Sequence, residues 1–466
     1  MNKDNNQRCV HFIGVGGVGM SGIARVARDL GMTVSGSDMH ASRYTQQLVD
    51  AGIPIYIGHS ADNLPEDLDV VVVSTAIPES NPELIAARER GVEVWQRARM
   101  LAALGQGKKT LAAAGTHGKT TTSSMLATAV DALELSPTFV VGGIVDRYQT
   151  NAVSGTGEHY IVEADESDRS FLNLSPYVAL VTNIEADHLD HYVGGIEEIY
   201  DTFAEFMSLV PADGACVVCG DDEGCRTVAA RVNRRVYTYG FGESCDIRIS
   251  EYHTKGIATY ATITFPDDTV VEFCLAQNPG RHNVLNATGV LGVVWACGLD
   301  VKRASEGLSH YTGVRRRFDL IGQADEITVV DDYAHHPTEI KATTAAAADL
   351  DFNRVVVLFQ PHRYSRTQSL AQQFGSAFDN VDDLIIMDVY AAGEAPIEGV
   401  SGQTIVDAIK ARTPDKNVTY VALKDDVVDS VVSHLQPKDL CITMGAGDVT
   451  TFAPRIIEAL NKRSEH

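Results

Sequence analysis

Two glycine-rich stretches and two acidic strand ends hold the residues of this chain best suited to chemistry. In TLAAAGTHGKTTT a short apolar run leads into Gly115, Thr116, His117, Gly118, Lys119, Thr120 and Thr121. Such a loop between a strand and a helix surrounds phosphate with backbone N–H groups. Its lysine reaches the β- and γ-oxygens, and its threonine hydroxyl reaches Mg2+. Ala113 stands where the general pattern G-x-x-x-x-G-K-T has its first glycine, so the match departs at one position. Downstream, YIVEADESD and ALVTNIEADHLD carry Glu163, Asp165, Glu166, Asp187 and His188. Carboxylates at the C-terminal ends of parallel strands lie in the crevice where open α/β sheets bind ligands, and a ring of them suits magnesium. His188 and His191 also form H-x-x-H, a spacing compatible with zinc, and plain surface acids are a further alternative.

The other glycine-rich stretch is IGVGGVGMSG. Gly14, Gly16 and Gly19 give G-x-G-x-x-G directly after an apolar run, with Gly17, Val18, Met20 and Ser21 completing the turn and opening a helix whose Ile23, Val26 and Leu30 share a face. Glycines let the backbone approach a diphosphate, and the helix N-terminus supplies N–H groups. Ser37 and Asp38 follow in SGSD, with Asp38 19 residues beyond Gly19, near where an acidic side chain accepts a ribose hydroxyl. Taken alone, this fits NAD, another nucleotide diphosphate or a structural turn.

These groups need sheets to position them. From Cys9 to about Gln106, the runs CVHFIG, MTVSGSD, VVVVST and VEVW alternate with helix-like stretches, which predicts a parallel sheet covered by helices. A larger α/β unit follows and ends in the alternating stretches ATYATITF and TVVEFCL, which read as hairpin strands. ITVVD, RVVVLF, LIIMD, VTYVAL and LCITM then predict a second doubly wound sheet. The expected domains are 1–107, 108–313 and 314–466. A chain of 466 residues, 44% hydrophobic and 21% charged, has the size and composition of a multidomain globular protein.

With 62 acidic against 38 basic side chains the formal charge is −24, which argues against a nucleic-acid surface and requires local cations for any anionic substrate. No apolar run suggests a membrane span and the start MNKDNNQR does not resemble a signal peptide, so a cytoplasmic location is expected. Cys216, Cys219 and Cys225 lack the second spaced pair of a zinc site, and ACVVCGDDE reads as a buried strand entering an acidic turn.

GVGGVGMSGIA, SGSD, AGTHGKTTT, EADESD, TNIEADHLDHY, GRHNVLNA, GVRRRFD, DDYAHHPTE, FQPHRYSRT, DVYAAGE and GAGD, in that order and over nearly the whole chain, resemble the Mur ligases of peptidoglycan synthesis. The resemblance implies an α/β fold of three domains. These are an N-terminal Rossmann-like nucleotide-sugar domain, a central P-loop ATPase-like domain with extra strands, and a C-terminal Rossmann-like doubly wound domain. It implies an ATP- and Mg2+-dependent amide synthesis, through an acyl phosphate, between the carboxylate of UDP-N-acetylmuramate and L-alanine, by a monomer or homodimer.

By the same resemblance, Lys119 stabilises the transferring phosphoryl group, Thr120 and Glu163 hold one Mg2+, and His188 helps hold a second. Asn283 and Asn286 contact the adenine region, and Arg317 and Asp332 close on the nucleotide. Tyr333, His335, His362, Arg363 and Arg366 form the alanine end, and the first-domain glycines with Ser37 and Asp38 hold UDP rather than NAD. On sequence alone the arginines also fit a solvated helix start, and His335 and His336 also fit a helix N-terminus before Pro337. Several Mur ligases are thought to carry a carbamylated lysine after the DH motif. This chain has no lysine between Lys119 and Lys255, which leaves Glu197, Glu198 or Glu205 as candidates for the missing charge. An NAD-dependent oxidoreductase, a nucleotide-sensing module and a ligase for preformed peptides are the rival readings.

Overall fold

The computed structural model describes residues 7–187, 192–255 and 257–464. Cys9–Ile13 (β1), Thr33–Asp38 (β2), Ile55–Ile57 (β3), Val70–Val73 (β4) and Glu93–Gln96 (β5) form a sheet in the order β3-β2-β1-β4-β5, parallel throughout. Every residue of CVHFI and VVVV is buried, as expected for parallel strands covered on both faces. The chain leaves β1 on one side to make β2 and β3 and on the other to make β4 and β5. This puts the topological switch point, where open sheets bind ligands, at the end of β1. Gly14–Gly19 occupies that position, and the helix Val18–Asp29 follows.

The middle sheet contains Lys109–Ala114 (β6), Thr138–Val145 (β7), Thr150–Val153 (β8), His159–Glu163 (β9), Pro176–Val181 (β10), Ala215–Cys219 (β11), Val236–Gly240 (β12), Ile247–Lys255 (β13), Ala258–Thr264 (β14) and Val270–Leu275 (β15). Its order is β15-β14-β13-β12-β11-β10-β6-β9-β7-β8. β6 lies between β10 and β9 and runs parallel to both, so the strand that feeds the phosphate loop has a neighbour on either side. β7 and β8 form an antiparallel hairpin. The helix Val18–Asp29 docks on it: Asn151 Nδ2 donates to the Val18 carbonyl at 2.9 Å, and a Cβ at Gly22 would come within 2.7 Å of that amide. β14 and β15 alternate more and less buried residues, the mark of strands with one packed face. Cys216 and Cys219 lie buried in β11 and Cys225 in the following helix. Burial pushes the Cys216 and Cys219 thiols up to about 12, which fits the buried-strand reading.

Asp319–Ala324 (β16), Ile327–Asp332 (β17), Arg354–Phe359 (β18), Asp383–Met387 (β19), Val418–Val421 (β20) and Asp439–Met444 (β21) make the third sheet, in the order β16-β17-β21-β18-β19-β20. It is parallel except for β16. Val357 and Phe359 belong to the core on one face and Val356 and Leu358 to the core on the other, which follows from the two-residue period of a strand.

The described residues divide into two compact units. One lies within Met1–Glu251, Ala261–Cys274 and Leu285–Tyr311; the other within Tyr252–Tyr260, Leu275–Val284 and Thr312–His466. Among the described residues no helix is long and apolar enough to cross a membrane.

Candidate active site

β6 delivers the phosphate loop and the helix Lys119–Ala132 takes it away. Gly118 caps that helix at φ +83° and Gly115 sits at φ +135°, both in the region that favours glycine. A Cβ at Gly115 would lie 2.1 Å from Thr182 Oγ1. The segment after β10 laces the loop in place. Thr116 N–H donates to the Asn183 carbonyl at 2.9 Å and His117 N–H to Asn183 Oδ1 at 2.8 Å. In return Asn183 Nδ2 donates to the His117 carbonyl at 2.9 Å, and Glu185 N–H to Thr116 Oγ1 at 2.9 Å. Thr121 is buried in the first helical turn, and the Asn286 amide flanks Gly118, whose Cβ would stand 3.1 Å from Asn286 Oδ1.

Lys119 Nζ donates to the Gly115 carbonyl at 2.8 Å, the Thr116 carbonyl at 3.2 Å and Glu166 Oε2 at 2.6 Å, which matches the three donors of an ammonium. Burial works against its charge, but Glu166, Asp165 and Glu163 outweigh burial and raise its pKa. Burial also pushes the Glu166 carboxyl up to about 7 against the pull of Lys119. Asp165 is held below the usual carboxylate range: Lys119 and the Ser167 N–H outweigh its burial.

Glu163, the last residue of β9, accepts from Thr120 Oγ1 at 3.0 Å through Oε1 and from Gly142 N–H at 2.6 Å through Oε2. A Cβ at Gly142 would approach that carboxylate to 2.6 Å. Among the described residues, Glu166 Oε1 is buried without a hydrogen-bond partner. A hydroxyl, a carboxylate and an open buried carboxylate oxygen beside a phosphate loop form an all-oxygen donor set that fits a hard cation. His188 and His191 lie outside the described residues. Of the three glutamates considered above, Glu198 pairs with Arg169 and accepts from Gly194 N–H at 2.7 Å, Glu197 pairs with Arg231 at 2.8 Å, and Glu205 is exposed.

The glycine loop after β1 opens onto a cleft of about 760 Å3. Gly14, Gly17, Gly19 and Met20 line it with Asp38, and Arg97 and Arg169 add two cations that no sequence motif marked. Arg97 NH1 would stand 3.1 Å from a Cβ at Gly19. Asp38 turns both oxygens to backbone: Oδ2 accepts from Gly16 N–H at 2.7 Å and Oδ1 from His40 N–H at 3.2 Å. Ser21 Oγ bonds to the Val18 carbonyl at 3.0 Å. Ser37 is fully buried and donates to Glu83 at 2.5 Å, so its hydroxyl faces the domain interior.

In the second unit, the Asp332 carboxylate accepts from Phe318 N–H and Ala334 N–H, both at 2.8 Å, and burial raises its pKa to about 6. It thereby pins the turn that carries Arg317, whose neighbours Arg316 and Phe318 have φ +65° and +51°, costly for non-glycine residues. Arg317 lies over the Tyr333 ring at 5.2 Å and 3.5 Å from Glu339. His335 packs edge-on against Tyr333 and against His362, which stacks on Tyr390. Burial lowers His335 and His362 to about 4, so both are neutral at pH 7. Arg366 approaches His362 Nδ1 at 3.3 Å, and Arg363, exposed at φ +71°, leads its helix. His336 caps the helix Pro337–Ala348 with Pro337 in its first turn, as the capping alternative expected, while His335 joins the aromatic cluster. Asn283 Nδ2 donates to the Pro279 carbonyl at 2.9 Å, one helical turn from Asn286.

Three family models match in chain order: the Mur ligase family catalytic domain over residues 9–109, the Mur ligase middle domain over 113–294, and the Mur ligase glutamate ligase domain over 316–447. A "UDP-N-acetylmuramate--L-alanine ligase" of Pelobacter propionicus is 45% identical over 98% of each chain, and one of Geobacter sp. strain M21 is 46% identical over 98% of each. Among solved structures, the UDP-N-acetylmuramate-alanine ligase MurC of Thermotoga maritima superposes with a TM-score of 0.80 at 29% identity, covering 98% of this chain and 100% of its own. A murein peptide ligase of Psychrobacter arcticus follows at TM-score 0.69 and 25% identity, over 97% of this chain and 99% of its own.

Proposed function

The chain belongs to the Mur ligase family, and from that premise we propose that it is the ATP-dependent ligase joining the carboxylate of UDP-N-acetylmuramate to L-alanine in peptidoglycan precursor synthesis. The observation that carries the reading is the phosphate loop, where Lys119 is a half-buried cation beside the Thr120–Glu163 pair.

The γ-phosphoryl group of ATP passes to the muramoyl carboxylate, the alanine amine attacks the resulting acyl phosphate, and phosphate leaves. Lys119 exchanges its bonds to loop carbonyls for the phosphoryl oxygens, where a fixed cation counts most as charge develops. The backbone of Gly115–Gly118 surrounds the phosphates, with the Asn286 amide beside Gly118. Thr120 and Glu163 would hold Mg2+, which when bound neutralises charge on the phosphates. His188, assigned to a second ion, lies outside the described residues.

The glycine-loop cleft takes the nucleotide sugar, with Arg97 and Arg169 as the local cations that a chain of net charge −24 must supply for an anionic substrate. Arg317 and Asp332 are assigned to the nucleotide. At the alanine end Arg363 and Arg366 take the carboxylate, while neutral His335, whose Nδ1 donates to the Tyr333 carbonyl at 3.1 Å, leaves Nε2 to accept a hydrogen bond from the amine, beside His362 and Tyr333. The cytoplasm is the compartment assigned to it.

The test is phosphate release from ATP and Mg2+ with UDP-N-acetylmuramate, with and without L-alanine. Release should require both substrates and vanish in Lys119→Ala. Alanine-independent release would point to another acceptor, and competition by a tripeptide would point to a peptide ligase.

A further inference from the structure

A carboxylate without solvent contact lies behind the wall of the glycine-loop cleft. Glu83, in the first turn of the helix Pro82–Glu89, is fully buried. Its Oε1 accepts from Asn63 Nδ2 at 2.5 Å and from Ser60 N–H at 3.3 Å. Its Oε2 accepts from Ser37 Oγ at 2.5 Å and lies 3.1 Å from His59 Nδ1. His11, also fully buried, holds Nδ1 2.8 Å from Ser35 Oγ and Nε2 3.8 Å from Glu83. Burial pushes the Glu83 carboxyl up, but the His11, Ser37 and Asn63 side chains outweigh burial and hold it down to about 2, so it is ionised. Replacing a buried ionic group by well-packed apolar residues is often neutral or stabilising, so packing alone gives no reason for this one.

Of these side chains only His59 also lines the cleft. A carboxylate can only accept, and Ser37 Oγ, having given its proton to Glu83, can only accept from the ring nitrogen 3.1 Å away. Nδ1 of His59 therefore carries the hydrogen, and in the neutral ring the opposite edge offers the Nε2 lone pair. The sheet order says which part of a ligand it meets. The diphosphate belongs to the glycine loop at the end of β1, and the ends of β2 (Asp38) and β3 (His59 follows it) lead outward from there. Gln96 and Arg97 lie at the end of β5, on the other side of β1. In such sheets the nucleoside lies over the end of β2.

We propose that Glu83 is a positioning residue for substrate binding: it fixes the ring orientation and tautomer of His59, so that Nε2 accepts a hydrogen bond from the nucleoside of the nucleotide sugar. The inference rests on the assignment of this cleft to UDP-N-acetylmuramate. In Glu83→Gln the amide can donate to Nδ1, which moves the ring proton to Nε2 and replaces the acceptor by a donor. KM for UDP-N-acetylmuramate and the dissociation constant of UDP should both rise about tenfold, the scale of one hydrogen bond. The saturated kcat and the KM for ATP should not change.

His59→Ala should produce the same loss, and Glu83→Gln in the His59→Ala background should add nothing, because Glu83 acts through His59. Nitrogen-15 NMR of histidine-labelled protein should show His59 protonated at Nδ1 in the wild type and at Nε2 in Glu83→Gln. Protonation of wild-type His59 at Nε2 alone, or equal Glu83→Gln losses with and without His59, would overturn the proposal. The wild-type spectrum decides the matter if Glu83→Gln fails to fold. Wild-type protein that binds UDP-N-acetylmuramate while neither variant loses affinity would sink this inference alone, whereas no wild-type binding would sink the function reading with it.

Discussion

Glu163 makes the most direct residue-level case, because its two oxygens join the threonine of the phosphate loop to the edge hairpin. Glu163→Gln keeps the shape and removes the charge. Its kcat should fall at least about a hundredfold and its half-saturating Mg2+ concentration should rise, with little change in melting temperature. Unchanged metal dependence would remove Glu163 from the ion site. His335 and His362 give a second prediction, in stability rather than rate. Their folded pKa values of about 4 lie below the ordinary histidine value near 6.5. Their contribution is therefore fully present above about pH 6.5 and is lost as pH falls toward 4, because the unfolded chain binds the protons first. Urea midpoints at pH 7.5 and 5 should separate more in the wild type than in a variant with both residues changed to Gln.

Gly142, in β7, carries a prediction about an element. Its Cβ would meet the Glu163 carboxylate, the mobile end of a side chain, and its backbone is not in the left-handed region. Gly142→Ala should fold with near-normal melting temperature yet lose about tenfold or more in kcat, because Glu163 must move away from Thr120. Gly115→Ala should instead yield unstable or insoluble protein, since both its φ and the Thr182 hydroxyl forbid a Cβ.

The same elements show what a sequence can carry. TLAAAGTHGKTTT was legible as strand, loop and helix because a local pattern encodes all three, and the valine-rich parallel strands were legible as unbroken apolar runs. The β7–β8 hairpin, the β13 strand IRISEYHTK and the antiparallel edge β16 escaped, being short, partly polar or exposed. Arg97, Arg169, His59 and Glu83 were also missed. Glu83 meets Ser37 across 46 residues and His59 across 24, and nothing at either position marks the partner. Ser37 read as a ligand contact because it adjoins Asp38, but alternation along β2 turns it inward.

At the scale of the molecule, a charge of −24 opposes the approach of an anionic nucleotide sugar even though the cleft itself holds two arginines. The association rate constant of UDP-N-acetylmuramate, followed by stopped flow, should therefore rise as ionic strength goes from about 10 mM to about 150 mM and the Debye length shrinks. A fall would mean that the local cations dominate even at long range. The lacing of the phosphate loop also sets a timetable for biosynthesis. A ribosome releases the loop well before the segment that holds it, for His117 waits on Asn183, 66 positions later, and Gly118 meets Asn286 later still. A nascent chain that has already displayed its most recognisable motif therefore has no nucleotide pocket, and competence to bind ATP arrives only when most of the middle sheet has been translated.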